Sequence, residues 1–186
     1  MIAFAAAAAA FGFAPGAQAQ GEDNFAFGAS TGIAVPATEL RDYHTNGVNG
    51  TLILAIGSVD TPVGVRFDAM YNAFGDVNGT PESPNTQGKA KILAITGNIV
   101  YDFFGQDTKL YFIAGVGGYT YKPTGAGIED ESDFGINAGL GVFLPFVNGF
   151  IEARFHNVYR SLPDPVSGAP GKKSAQFYPI TFGVLF

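Results

Sequence analysis

The sequence predicts an all-β chain, an eight-stranded antiparallel up-and-down transmembrane β-barrel. Three observations predict it. Eight runs alternate bulky apolar residues with small, polar or charged ones, as a strand with two unlike faces requires. The connections between the runs alternate long and short. The last run sets Tyr178, Ile180, Phe182, Val184 and Phe186 on one face and Phe177, Pro179, Thr181, Gly183 and Leu185 on the other.

Composition narrows the class. At 186 residues the chain is sized for one domain. Charged residues make up 14%, against ~25% in soluble domains. With no cysteine there is neither a disulfide framework nor a thiolate metal site. A net charge of -6 argues against a nucleic-acid surface, and none is expected as a partner. Residues 1–19 read as a signal peptide: an Ala-rich apolar run over 2–13, a break at Pro15 and Gly16, and the small-x-small end Ala17-Gln18-Ala19. Cleavage is expected before Gln20, leaving 20–186 as the barrel domain, although the leader lacks its usual Lys or Arg. That apolar run is shorter than the ~20 residues a spanning helix needs. No other run of this kind follows, so export without a helical anchor is expected.

The first strand, residues 24–35, sets Phe25, Phe27, Thr31, Ile33 and Val35 against Ala26, Gly28, Ser30, Gly32 and Ala34. A polar loop is expected over 36–46. The second strand, 48–57, sets Leu52, Leu54 and Ile56 against Asn49, Thr51 and Ala55. After a short turn ending at Pro62, the third strand, 63–73, alternates Val63, Val65, Phe67, Ala69 and Tyr71 with Gly64, Arg66, Asp68, Met70 and Asn72. A long Asn-, Gly- and Pro-containing loop over 75–88 leads to the fourth strand, 89–103, where Leu93, Ile95, Ile99 and Tyr101 oppose Ala94, Thr96, Asn98 and Asp102. A turn at 105–107 leads to the fifth strand, 109–121. Its faces are hard to tell apart: Tyr111, Ile113, Tyr119 and Tyr121 oppose Leu110, Phe112 and Val116, and the Tyr face is assigned outward. An acidic loop spans 122–132. The sixth strand, 133–144, sets Phe134, Ile136, Leu140, Val142 and Leu144 against Asp133, Gly135, Asn137, Gly139 and Gly141. A turn at 145–149 precedes the seventh, 150–160, where Ile151, Ala153, Phe155 and Tyr159 oppose Glu152, Arg154 and His156. A Pro-rich loop over 161–173 leads to the eighth.

Periodicity does not say which face points inward; volume and charge do. Eight strands enclose a space just wide enough for side chains. Small residues fit there, whereas Phe, Ile and Leu from every strand would overfill it. The apolar face is therefore expected outward, against lipid. With both termini at one end, Phe25, Phe27, Tyr101, Tyr111, Phe150 and Phe186 form one aromatic girdle, and Tyr71, Tyr119, Tyr121, Phe134, Tyr159 and Tyr178 the other.

The polar lumen set is then Arg66, Asp68, Asn98, Asn137, Glu152, Arg154 and His156. Arg66 and Asp68 lie across the barrel from Glu152 and Arg154, where opposite charges can pair over the axis. Unpaired charges in a narrow lumen are costly, so a structural plug is the favoured reading and a narrow ion path the other. His44 beside Asp42 is too little for a metal site. Glu129, Asp130 and Glu131 lack the spacing of a Ca²⁺ loop and read as a solvated loop tip. No phosphate loop, dinucleotide fingerprint or zinc signature is present, and no metal or cofactor is expected.

Three features together, the Ala17-Gln18-Ala19 end, the eight-strand pattern and Phe182-Gly183-Val184-Leu185-Phe186, resemble the small outer-membrane β-barrel domain family. The chain is similar to the OmpA transmembrane barrel, OmpX and the opacity-type surface proteins. Smaller echoes are Gly64-Val65-Arg66-Phe67-Asp68, Thr96-Gly97-Asn98 and Ile151-Glu152-Ala153-Arg154. The even strand number puts both termini in the periplasm, and a monomer with four external loops is expected. The resemblance implies a place in the outer membrane of a Gram-negative-type bacterium and surface-exposed loops. It implies contact with outer-membrane lipid and lipopolysaccharide, and recognition of the Phe186 strand by the barrel-insertion machinery. It implies no single activity. The expectation is an envelope-structural or surface-interaction protein, neither an enzyme nor an open pore, whose surface ligand the sequence does not name. Two alternatives stand beside it. One is a lipid-modifying enzyme using His156, although such enzymes pair their His with a nearby Ser and Ser161 is five residues away. The other is a soluble periplasmic lipocalin-like binder with its apolar faces inward.

Overall fold

The computed structural model describes residues 24–57, 62–76, 89–103, 109–123, 130–163 and 170–186. The signal segment, Glu129 and most of the expected turns and loops lie outside them. Eight strands follow one another: β1 (Asn24–Ala37), β2 (His44–Gly57), β3 (Val63–Asp76), β4 (Ala90–Phe103), β5 (Lys109–Pro123), β6 (Glu131–Leu144), β7 (Gly149–Pro163) and β8 (Pro170–Leu185). Each pairs antiparallel with its neighbours, and β1 pairs with β8 to close the barrel. Phe186 N–H donates to the Phe27 carbonyl at 2.7 Å, and Phe27 N–H donates back to Phe186 at 3.1 Å, extending the closing seam to the last residue. Closure leaves no unpaired edge, which a wall in lipid requires.

The faces follow the alternation. Along β3, Arg66, Asp68, Met70, Asn72 and Phe74 are buried, while Val65, Phe67 and Tyr71 are exposed. Outward-facing Leu52, Phe27 and Ile95 are 67%, 65% and 72% exposed. Apolar side chains thus cover the outside and charges fill the inside, the reverse of a soluble barrel. A soluble lipocalin-like binder is not favoured by this arrangement.

The strands outrun the lengths expected for them. They reach 14–16 residues, against the ~9–11 a bilayer crossing needs. Parts of the expected loops are therefore strand: the β7–β8 ladder continues to Pro163↔Pro170, inside the expected loop 161–173. The expected polar loop 36–46 is also corrected. It comprises the end of β1, the short helix α1 (Thr38–Tyr43) and the start of β2. Leu40 is the apolar anchor of α1; it is buried, and it joins the core under the helix. At the other end, β6 and β7 are joined by a 3-10 turn, Pro145–Val147, closed by Asn148 in the left-handed region at φ 48, which Asn tolerates better than most residues.

Candidate functional site in the lumen

The lumen is built chiefly from the inward faces of β3, β4, β5 and β7. β3 supplies Arg66 and Asp68, and β7 supplies Glu152 and Arg154 at the same level from across the barrel. The Arg66 guanidinium meets Glu152 through two parallel bonds, Nη1 to Oε2 and Nη2 to Oε1, both 2.9 Å. Arg66 Nε also donates to Asp68 Oδ1 at 3.0 Å. Arg154 Nη2 lies 2.8 Å from Asp68 Oδ2 and 2.7 Å from Glu152 Oε1. Two cations and two anions thus close a ring in which each carboxylate serves both guanidinium groups.

Neutral donors complete it. Tyr111 donates to Glu152 Oε2 at 2.7 Å, and Asn98 Nδ2 lies 3.0 Å from Asp68 Oδ2. Asn137 Nδ2 donates to Asn98 Oδ1 at 2.9 Å. Arg66 also lies over the Phe150 ring, 5.6 Å from its centre, a cation–π contact. All four charged residues are at most 5% exposed, and paired geometry of this quality is what makes such burial tolerable. Toward the end that carries the termini, Arg66, Tyr111 and Phe150 line a vestibule of about 260 Å³.

A second layer lies beneath α1. The His156 ring stacks on Phe177 at 4.8 Å and 8°, and its Nδ1 lies 2.9 Å from the Tyr119 hydroxyl. Phe177 meets Phe74 edge-on at 5.8 Å. His44 Nε2 lies 3.0 Å from the Tyr121 hydroxyl, and Ile92, Met70, Val158 and Leu40 fill the remaining space.

The structure brings six of the seven expected lumen residues into one hydrogen-bonded network: Arg66, Asp68, Asn98, Asn137, Glu152 and Arg154. His156 faces the lumen too, but belongs to the aromatic layer. Three residues essential to the filling correct the outward assignment of the Tyr face. Tyr111, Tyr119 and Tyr121 are all buried inside, and Leu110, Phe112 and Val116 face out. The physical reason is the hydroxyl: Tyr111, Tyr119 and Tyr121 each find a polar partner in the lumen that lipid does not offer. Phe150, expected in the girdle, is 1% exposed and shares the face of Glu152. Glycine makes the room. A Cβ on Gly141 would stand 2.1 Å from Tyr111 Cζ, and one on Gly183 would stand 2.3 Å from Phe150 Cζ. Gly141 pairs with Tyr111 and Gly183 with Phe150 in the ladder, so an aromatic facing glycine is the signal that places both rings inside. The other girdle residues, Phe25, Phe27, Tyr101 and Phe186 at one rim and Tyr71, Phe134, Tyr159 and Tyr178 at the other, are exposed.

A closed up-and-down barrel with an apolar exterior and a charged interior defines a transmembrane β-barrel. Residues 4–150 match the family described as outer membrane protein beta-barrel domain, and the chain belongs to that family. Solved structures share the fold. Neisserial surface protein A (NspA) is 18% identical, with a TM-score of 0.56, over 87% of this chain and 95% of that one. Ail, the attachment invasion locus protein of Yersinia pestis, is 17% identical, with a TM-score of 0.51, over 87% and 98%. A major outer membrane protein from Thermus thermophilus is 11% identical, with a TM-score of 0.51, over 87% and 99%. No curated protein matches the sequence.

Proposed function

We propose that this outer-membrane barrel is a closed, non-enzymatic monomer whose termini face the periplasm. Its function is envelope structure or surface interaction, carried by the outward connections at the α1 end. The observation that carries this reading is the charge-balanced ring of Arg66, Asp68, Glu152 and Arg154, packed against a second, aromatic layer. A lumen filled in this way leaves the outward connections as the accessible working surface. Two proteins of the same fold carry surface or attachment in their names, which fits that role. His156 is 0% exposed and enclosed by Tyr119 and Phe177, so it offers no face to a lipid substrate.

Orientation is tested by labelling. The chain has no cysteine, so D42C on α1 is a single handle. A membrane-impermeant maleimide should label D42C on intact cells. Labelling only after the outer membrane is permeabilised would reverse the orientation. Purified barrel in planar bilayers should show no steady conductance, and a stable open channel would refute the closed lumen.

A further inference from the structure

Among the described side chains, the charged groups of the strands face the lumen with two exceptions, Lys91 of β4 and Lys122 of β5. Lys91 is exposed between buried Ala90 and Ile92, and Lys122 continues the outward face of β5 beyond buried Tyr119 and Tyr121. The two lysines are direct partners in the ladder. Like charges set opposite one another on neighbouring strands repel. Asp130 pairs with Lys122; Lys91 has no acidic partner among the described side chains.

Their level on the wall explains their presence. The next outward row toward the middle of the barrel is Leu93, Thr120 and Ser132, with the two hydroxyls 3.0 Å apart. The row after that is Ile95, Gly118 and Phe134. The surface therefore passes from apolar to hydroxyl to charge in three rows. A lysine facing lipid is tolerated only near the interface, so this step marks where headgroups lie. These six residues line one open depression. At Gly118 an added Cβ would meet nothing within 4 Å, so the wall is open there. A charged pair above and an apolar notch below suit a molecule with an anionic head and an acyl chain.

We propose that Lys91 and Lys122 bind a phosphate of a phosphorylated glycolipid in the outer leaflet, with an acyl chain lying over Gly118 between Ile95 and Phe134. The phosphate relieves the repulsion between the ammonium groups and competes with Asp130 for Lys122. The hydroxyls of Thr120 and Ser132 supply neutral contacts below it. The assignment to the outer leaflet rests on the orientation proposed above.

The test is native mass spectrometry of the full barrel in nonionic detergent, titrated with lipid A carrying two phosphates or with the same lipid dephosphorylated. The wild type should prefer the phosphorylated form. K91Q or K122Q should weaken binding about fivefold, and K91Q/K122Q about thirtyfold, while K91R/K122R should retain it. Equal binding of both lipids by the wild type, or unchanged binding by K91Q/K122Q, would overturn the proposal. Should K91Q/K122Q not fold, as judged by the heat-dependent gel shift, salt titration of the wild type decides. Added NaCl should weaken binding of the phosphorylated lipid, and salt-independent binding overturns the site. If D42C is shielded on intact cells, the outer-leaflet orientation falls while binding by the purified barrel still stands or fails on its own.

Discussion

The lumen is filled twice, by two different kinds of matter. At the level of Arg66, Asp68, Glu152 and Arg154 it is held by charge. Beneath α1 it is held by Phe74, Tyr119, His156, Phe177 and their apolar neighbours. The two layers differ in how divisible they are. In the charged ring each carboxylate answers two guanidinium groups, so removing one member leaves a buried imbalance. In the aromatic layer each contact is local, and loss of one hydrogen bond leaves the stacking of His156 on Phe177 in place. Charge gives this barrel a closure that depends on completeness; apolar packing gives it one that yields gradually.

The largest expected effect tests that indivisibility. Glu152→Gln leaves Arg66 and Arg154 with Asp68 alone and should destabilise the barrel by about 3–5 kcal/mol, the usual result of breaking a buried ion pair. The readout is the urea midpoint of the folded form in detergent. Combining it with Arg66→Met restores neutrality, and the double variant should be more stable than Glu152→Gln alone. If the two losses simply add, the ring is four separate contacts and the contrast between the layers disappears.

A second test probes the room the charged ring needs. Gly141→Ala drives a Cβ into the Tyr111 ring, which holds Glu152. Overpacking of this kind costs about 1–3 kcal/mol. The same midpoint should fall, and Tyr111→Leu should recover part of the loss by withdrawing the phenol. Tyr119→Phe then tests the aromatic layer. It removes the contact to His156 Nδ1 and keeps the ring, so the expected loss is about 1 kcal/mol. A loss as large as that of Glu152→Gln would show the upper layer to be a polar network as well.

The part of this arrangement legible in the sequence is the part in which the two faces of a strand differ in kind. On β3, Arg66 and Asp68 alternate with Val65 and Phe67, and volume with charge decides the facing. On β5 both faces are bulky, and hydropathy cannot rank Tyr111 and Tyr119 against Phe112 and Val116. What decides is long-range: a carboxylate on β7, an imidazole on β7 and glycine on β6, none of which a single strand displays. Phe150 departs from expectation for a different reason. Its position at a strand end suggests a girdle, although parity with Glu152 already puts it inside. The extra strand length is hidden because Pro and Gly in the connections mark turns locally, while the β7–β8 ladder continues past them by cross-strand pairing alone.

The smallest expected effect carries the comparison to the outer surface. Lys122 and Asp130 form an ion pair as Arg66 and Glu152 do, but their side chains are 39% and 50% exposed, against 6% and 4% for the lumen pair. Water screens the outer pair, and exposed pairs typically contribute ~0.2–1 kcal/mol. Lys122→Gln should therefore change the stability read from urea unfolding in detergent by less than about 1 kcal/mol, with Lys91 relieved of a like charge to offset part of the loss. A shift comparable to that of Glu152→Gln would mean that the outer pair is shielded from solvent, and the polar boundary drawn at the Lys91–Lys122 row would have to move outward. A small shift with weakened binding of phosphorylated lipid A would separate the two uses of charge in this wall: inside the barrel it holds the fold, and at the rim it meets the lipid.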